Sequence, residues 1–439
     1  MVGYSSPAES GIVDDLHLST AEYSLFGSLL TIGGAIGAIV SGRLADYLGR
    51  RLTLGVTDLF AIIGWLSIAV SQTAWSLDLG RLLLGISLGL TAYVVPVYVA
   101  EITPKDRRGQ FVVFHMFMIV TGISVAFLLG VILSWRLLAV VGIIPSLVQL
   151  IGVFMIPESP RWLAKIGKSD EFEAALQRLR GVNVDITEEA AEIKEYTDSL
   201  KQISEVNILQ LFQRKYAYVL TVGVGLFALS QLMGTNGILY YASSVFESAG
   251  FSGHVGSIAL AVIQIPAVFV PVVCMDKFGR RVLLMVSAAG LCFGCFLAGL
   301  AYVFEDFGLL KGVSPYMVLI GVLIYAFMYP VGMGATIFLI IAEIYPLNIK
   351  GLAGSMATLA GWLCSWFVAY TFNFSMEWSS GRDVFYISGH LCFHIAVYCG
   401  FGTGNERADT RRNTGINQPY LAKERGRMTS RYFSFPAVK

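Results

Sequence analysis

The chain is short of charged residues. They make up 14% of its 439 positions, against 55% hydrophobic residues, whereas a soluble domain of this size would carry about a quarter charged residues. The mean hydropathy is +0.67. These values exclude an ordinary soluble domain and indicate an integral membrane protein embedded in the lipid bilayer.

An excess of charge of one sign is also lacking, since the formal net charge is +1 at pH 7. Without a basic stripe, nothing in the chain would follow a phosphate backbone, and nucleic-acid binding is excluded. The chain does not open with a basic segment followed by an apolar run. No cleavable signal peptide is therefore expected, and the first spanning helices must direct insertion.

Residues for cofactor or active-site chemistry are scarce. The six cysteines mostly lie inside apolar stretches, where a thiol packs as a small hydrophobic group. His390 and His394 are four residues apart but have no third candidate ligand, so no metal site is expected. No set of nucleophile, base and acid lies within the apolar stretches. We therefore expect neither a cofactor nor an enzyme.

Long apolar stretches recur along the chain, and each can cross a hydrocarbon core of about 30 Å as a helix. A poorer stretch at 384–402 is an eleventh candidate. The ten predicted spans are 22–42, 52–73, 78–100, 110–133, 136–156, 217–246, 255–275, 282–304, 314–342 and 350–375.

Lys and Arg fall almost entirely on alternate loops, which the positive-inside rule places in the cytoplasm. The basic residues of these loops are Arg43, Arg50, Arg51, Lys105, Arg107, Arg108, Lys277, Arg280, Arg281 and Lys350, together with those of 157–216.

One long hydrophilic segment, 157–216, separates an N-terminal bundle at 1–156 from a C-terminal bundle at 217–402. Helical spacing predicts short surface helices there, with Asp185 and Glu188 resembling a capping box. The segment is either a solvated linker or a regulatory docking face. The polar tail at 403–439 is expected to be disordered.

Two motifs occur once in each half. Asp46 to Arg51 (DYLGRR) is echoed by Asp276 to Arg281 (DKFGRR), and Glu101 to Arg108 is echoed by Glu343 to Lys350, with the acid seven residues before the base in both. This internal duplication is typical of secondary transporters, whose substrate site lies between the halves. Gly-Arg-Arg predicts a tight cytoplasmic turn. Its guanidinium groups could latch neighbouring acids in one conformational state, or they could only set topology.

Amide side chains in an apolar span can bind the hydroxyl groups of a polar solute, and an aromatic face can cover its C–H surface. Gln231 and Asn236 lie in an otherwise apolar span, five residues apart around Gly234 and Gly237. Glycine there would loosen the helix. These amides are the best ligand candidates, although they could also simply hold helices together.

GRLADYLGRR at 42–51, PESPRW at 157–162, QLMGTNGILYY at 231–241 and DKFGRR at 276–281 together resemble the signature of the sugar porter family of the major facilitator superfamily. The opening GYSSPAESGI and the segment PESPRWLAKIG are most similar to its plant early-responsive-to-dehydration-like monosaccharide transporters. The resemblance implies an all-α membrane fold of two bundles, normally of twelve helices. Here about ten to eleven are expected, with the first helix mostly missing and the last divergent.

The resemblance also implies a monosaccharide substrate, alternating access, a monomeric state, and a vacuolar or plasma membrane location. It implies that Gln264 and Trp362 contact the sugar and that Tyr240 and Tyr241 form an outer gate. Met116 and Phe338 are also expected to line the sugar site, at positions where Gln and Trp are common in the family. Gly361 stands where an amide often precedes the Trp, and Ser230 replaces a second Gln, so a more apolar cavity is expected. The cytoplasmic gate residues implied are Asp46, Arg50, Arg51, Glu101, Arg108, Glu158, Arg161, Asp276, Arg280, Arg281, Glu343 and Lys350.

The family's proton-coupled members usually carry an Asp after Gly-Tyr in the first helix, near an Arg of the fourth. Here Gly3-Tyr4 is followed by Ser5, while Arg81 remains. Because Ser5 cannot titrate, uncoupled facilitated diffusion is the natural interpretation. The alternatives are a proton-coupled symporter using Asp58 or Asp78, a non-transporting sugar sensor, and an inactive truncated product.

Overall fold

The computed structural model of the chain describes residues 1–104, 107–201, 211–307, 312–345, 349 and 351–374. The predicted span at 384–402 lies outside this part of the chain. So do Lys350 and the side chains of six further predicted site residues, which are Arg108, Asp276, Arg280, Arg281, Phe338 and Glu343.

Regular structure in the described ranges is helical, as the apolar patterning predicts, and these ranges contain no strand. A short 3₁₀ turn, Val2–Tyr4, precedes the first helix, and a π-turn, Pro330–Gly334, follows α15. The helices are α1 Ser5–Leu16, α2 Thr20–Leu48, α3 Arg50–Ala69, α4 Ala74–Ile102, α5 Arg108–Gly130, α6 Trp135–Met155, α7 Pro160–Lys165, α8 Ser169–Arg180, α9 Thr187–Lys201, α10 Arg214–Leu232, α11 Thr235–Tyr240, α12 Ala242–Ser248, α13 Gly253–Ala267, α14 Phe269–Asp306, α15 Ser314–Tyr329, α16 Ala335–Ile344 and α17 Gly351–Phe374.

Ten segments of the described chain are long and apolar enough to cross a membrane, which confirms the ten predicted spans. The segments are Thr20–Leu48, Arg50–Ala69, Ala74–Ile102, Val113–Gly130, Trp135–Met155, Tyr216–Tyr240, Gly253–Pro271, Val282–Phe304, Ser314–Gly334 and Gly351–Phe374.

Local chemistry sets both ends of α2. The Ser19 amide donates to the Glu22 carboxylate at 2.8 Å, and the Glu22 amide donates back to the Ser19 hydroxyl at 3.3 Å. This capping box satisfies amides that a helix start leaves free. At the other end Gly49 has φ of 88°, a left-handed conformation that suits glycine, and α3 begins at the next residue.

The equivalent motif in the second half has a different backbone. α14 is helical from Phe269 to Asp306 and runs through positions 276–281. The tight turn predicted from the sequence Gly-Arg-Arg is therefore present at Gly49 but not at Gly279, because only the first copy adopts a left-handed glycine.

The hydrophilic segment after α6 folds into α7, α8 and α9, which share a small core built around Leu163, Phe172 and Leu176. Asp185 accepts hydrogen bonds from the hydroxyl and the amide of Thr187 at 2.6 and 3.0 Å. These two donors lower the pKa of Asp185. The cap thus bonds Thr187, the first residue of α9, whereas the sequence pattern pointed to Glu188.

Candidate functional site

The second half contains a break in a spanning helix. α10 ends at Leu232, Gly234 has φ of 91°, and α11 starts at Thr235. The hydroxyl of Tyr325 donates to the Met233 carbonyl at 2.8 Å. This bond satisfies a backbone group at the break, as a membrane interior demands. Broken helices of this kind place backbone and side-chain polar groups near the bilayer midplane.

The two predicted amide ligands meet at this break. Asn236 Nδ2 donates to Gln231 Oε1 at 3.3 Å and also to the hydroxyl of Ser365 on α17. Gln231 Nε2 donates to Ser230 Oγ at 3.4 Å. Gln231 and Asn236 are only partly buried, so their amides remain available to a ligand. Hydroxyls and amides that both donate and accept can match the hydroxyls of a sugar.

Trp362 lies one turn before Ser365 on α17 and therefore on the same helix face. Its ring packs on α2 of the first half, where a Cβ added to Gly34 would lie 2.8 Å from Cζ3 of Trp362. The indole thus stands beside the amide cluster and touches the opposite half, a suitable place for an aromatic wall.

Gln264 and Met116 differ in their surroundings. Gln264 is 5% exposed, and its Nε2 has no hydrogen-bond partner among the described residues. A buried amide without a partner costs free energy that a ligand hydroxyl would offset. Met116 is exposed, and the next ring, Phe117, contacts Phe269 of the second half at 5.3 Å. Met116 therefore lies close to the junction of the halves.

The tyrosine pair is buried on the side opposite the basic loops, which we call the outer side. Tyr240 is 1% exposed and Tyr241 is fully buried. The Tyr241 hydroxyl donates to the Ala369 carbonyl at 3.1 Å, and its ring stacks on Phe372 at 5.6 Å. It also reaches Tyr23 of α2 at 6.1 Å. Tyr241 therefore bridges the two halves.

Other hydrogen bonds join the halves near this outer end. Ser6 and Ser243 share a bond of 2.9 Å between their hydroxyls, and the Ser243 amide donates to Ser6 Oγ at 2.9 Å. The hydroxyl of Ser244 donates to the carboxylate of Glu9. These bonds, with the Tyr241 contacts, hold the outer side closed.

Arg81 is a buried cation on α4 of the first half. Its side chain is completely buried, and its guanidinium lies 4.2 Å from the ring centroid of Phe26. Nη2 donates to Ser5 Oγ at 2.9 Å, and Nη1 donates to the Met1 carbonyl at 3.3 Å. The partners of this cation in the described chain are thus a hydroxyl, a carbonyl and aromatic faces.

The cytoplasmic charge cluster of the first half is centred on Arg50. Its Nε and Nη2 donate to both oxygens of Glu101, at 2.9 and 3.0 Å, and Nη1 donates to Asp46 at 3.2 Å. Ser159 Oγ also donates to Glu101, at 2.6 Å. A bidentate pair of this kind is strong and geometrically specific. It joins α2, α3 and α4 to the start of α7.

Glu158 acts on backbone rather than on a guanidinium. It accepts from the amides of Arg50 and Arg51 at 3.0 and 3.2 Å, which neutralises the amino end of α3. Arg51 donates instead to the Val153 carbonyl at 2.7 Å. Arg161 faces the Tyr196 ring at 5.7 Å, so it is directed toward α9.

The structure adds several residues that the sequence analysis did not assign to the binding site or to a gate. Ser365 and Ser159 bond directly to predicted site residues, and Glu9 and Ser243 belong to the outer contact. Serine is common in membrane helices, so its type alone carries little signal. Ser365 could have been found from its position one turn after Trp362.

Ten long apolar segments in the described chain, a helix broken at an amide cluster and a charge cluster at the cytoplasmic end of the first half are typical of a multi-pass solute transporter. The family model described as "Sugar (and other) transporter" matches residues 3–405. The chain belongs to this sugar transporter family, of the major facilitator superfamily sugar porter type. Its homologues are transporters rather than enzymes.

Curated relatives from Arabidopsis thaliana support the narrower resemblance. "Sugar transporter ERD6" is 47% identical over 379 residues, covering 86% of this chain and 76% of the relative. "Putative sugar transporter ERD6-like 13" is 46% identical over 385 residues, covering 88% and 79%. "Sugar transporter ESL1" is 44% identical over 400 residues, covering 91% and 83%.

Among solved structures, the xylose transporter XylE from E. coli in an inward open conformation matches with a TM-score of 0.76 at 25% identity, covering 92% of this chain and 94% of that one. Its partially occluded inward open conformation gives 0.75 with the same identity and coverage.

Proposed function

We propose that the chain carries a monosaccharide across the membrane by alternating access, as facilitated diffusion without proton coupling. The sugar would bind between Gln231, Asn236 and Trp362, with Gln264 supplying a further donor. The outer contacts and the Arg50 cluster would act as gates at the two ends. A vacuolar or plasma membrane location is part of the same proposal.

The observation that carries the uncoupled mechanism is the contact between Arg81 and Ser5. The guanidinium meets a hydroxyl at 2.9 Å, where a proton-coupled carrier would hold a carboxylate that gains and loses a proton during the cycle. A serine hydroxyl stays neutral over the physiological pH range. The hydrogen bond between Arg81 and Ser5 therefore cannot gain or lose a proton when a pH gradient is imposed.

The test is uptake of radiolabelled D-glucose, D-fructose and D-xylose into proteoliposomes, with and without a pH gradient. We expect entry that saturates with concentration and stops at equal concentrations on both sides, with or without the gradient. Accumulation driven by the gradient would contradict the uncoupled mechanism. Sugar binding without flux would instead support a sensor.

One observation favours a proton-coupled alternative. Asp58 of α3 is 3% exposed, and its Oδ2 has no hydrogen-bond partner in the described part of the chain. A buried intramembrane carboxylate is a candidate proton carrier. If the wild type accumulates sugar under the gradient and Asp58→Asn does not, coupling passes through Asp58. An Asp58→Asn variant that accumulates sugar like the wild type would exclude it.

A further inference from the structure

A cavity with both polar and apolar lining lies at the outer ends of the helices, apart from the amide cluster. Its volume is about 370 Å³, within the range of roughly 300–1,000 Å³ typical of small-molecule sites. α1 and the start of α2 line it from the first half, and α12 and the end of α17 line it from the second. Neither Gln231 nor Asn236 belongs to its wall.

The wall combines acceptors, hydroxyls and aromatic surface. Glu9 and Glu247 contribute carboxylates, Asn373 contributes an amide, and Ser10 contributes a hydroxyl. The rings of Phe372 and of the fully buried Tyr241 also line the cavity, stacked on each other with an interplanar angle of 8°. Carboxylates and amides bind ligand hydroxyls, while ring faces suit an apolar C–H surface.

The same wall disfavours other ligand classes. No Lys or Arg lines the cavity, so an anion would meet the two carboxylates without a cationic side chain to offset their charge. Among the described residues, no group of three or more His, Cys, Asp or Glu side chains could hold a metal ion. A neutral compound with several hydroxyls remains the best match.

The cavity is connected to the outer gate through Glu9. This carboxylate accepts a hydrogen bond from Ser244 of the opposite half, and Ser243 of the same helix bonds Ser6 at 2.9 Å. A ligand hydroxyl entering the cavity could replace the Ser244 hydroxyl at Glu9. That exchange would remove one of the bonds that hold the halves together.

We propose that this outer cavity is a second monosaccharide station, whose occupant competes with Ser244 for Glu9 and so loosens the closed outer contact. The proposal rests on the sugar transport proposed above. It differs in predicting binding that survives the loss of the central Gln231/Asn236 site.

The test uses thiol labelling in purified protein reconstituted in nanodiscs. Ser10 is exposed and lines the cavity, whereas Asp14 is exposed on the same helix but does not line it. Ser10→Cys and Asp14→Cys are labelled with a maleimide, and each site is quantified by peptide mass spectrometry. D-glucose, D-fructose and D-xylose are added separately as protecting ligands.

With at least one of these sugars, at about ten times its dissociation constant, we expect labelling of Ser10→Cys to slow about tenfold and labelling of Asp14→Cys to stay unchanged. The protection should persist when Asn236→Ala is added. Glu247→Gln should raise the half-protecting concentration about tenfold, because it weakens one charge-assisted hydrogen bond.

Protection that disappears with Asn236→Ala would overturn the second station, because it would report a gate movement driven from the central site. Equal protection of Asp14→Cys would overturn it as well. Absence of protection in a protein that still transports sugar would refute the outer station alone. Absence of both protection and flux would refute the proposed function too.

Discussion

Ser5→Asp places a carboxylate against the guanidinium of Arg81, which the wild type bonds through the Ser5 hydroxyl at 2.9 Å. Arg81 is completely buried, so the new acid would face a cation inside the bundle and could carry a proton through the cycle. The wild type should reach equal sugar concentrations on both sides of the membrane. Ser5→Asp should accumulate sugar when the outside is more acidic.

The size of the pH gradient sets the highest ratio of internal to external sugar that Ser5→Asp can reach. One pH unit is worth about 1.4 kcal/mol per proton, so transport of one proton with each sugar allows accumulation of up to about tenfold. The assay is the final ratio of internal to external labelled sugar in proteoliposomes. Ser5→Asn is the matched control, because it changes size and polarity without adding a titratable group, and its ratio should stay near one.

Two results would contradict the proposed role of Ser5 in uncoupled transport. If the wild type accumulated sugar under the gradient, the Ser5 hydroxyl would not mark an uncoupled carrier. If Ser5→Asp transported sugar but still stopped at equal concentrations, a carboxylate beside Arg81 would not be enough for coupling.

Three further predictions concern the site and the cytoplasmic cluster. Ser365→Ala removes one hydrogen bond to Asn236, worth about 0.5–1.5 kcal/mol, and should change the KM for uptake by about two- to tenfold. Glu101→Gln leaves the guanidinium of Arg50 without its charged bidentate partner and should lower stability by about 3–5 kcal/mol, measured as a fall in Tm. Gly49→Ala forces a side chain into φ of 88° and should destabilise the fold by about 1–3 kcal/mol, again measured as Tm.

Each of these has a matched control or a contradicting result. Ser355→Ala removes an exposed hydroxyl on the same helix that donates to the Gly351 carbonyl at 3.0 Å, and the KM for uptake should not change. Asp46→Asn removes a half-exposed partner of Arg50 and should cost less than about 1 kcal/mol. If Asp46→Asn and Glu101→Gln lowered Tm equally, Glu101 would not be the main partner of Arg50. Gly152→Ala, where an added Cβ meets nothing within 4 Å, should leave Tm unchanged or raised.

The class of fold could be predicted from the sequence because it depends on patterns longer than any one contact. Span length, hydropathy and alternating Lys and Arg each reflect the bilayer. They predicted ten spans, and the ten long apolar segments in the described part of the chain confirm that number. The Asp46 and Asp276 motifs then indicated two related halves. None of these inferences requires side-chain geometry.

Details of the site depended on geometry that spacing does not determine. Arg161 and Glu158 both lie in the predicted charge cluster by sequence, yet Arg161 turns toward Tyr196 and Glu158 caps α3. The orientation of the short helix α7 determines which partners these two side chains reach. The segment around Gly279 is helical instead of forming the predicted turn, because the same Gly-Arg-Arg sequence can adopt two backbone conformations. Ser365 shares a helix face with Trp362, but local patterns do not predict its bond to Asn236, because the two residues are 129 positions apart.

Counterflow tests alternating access itself, because it requires one site that faces each side of the membrane in turn. Proteoliposomes are loaded with unlabelled D-glucose, D-fructose or D-xylose and diluted into the same labelled sugar. For at least one sugar we expect a transient internal excess of label in the wild type and the loss of this excess in Asn236→Ala. The absence of an excess with all three sugars in folded wild-type protein, or an undiminished excess in Asn236→Ala, would contradict alternating access through the Gln231/Asn236 site.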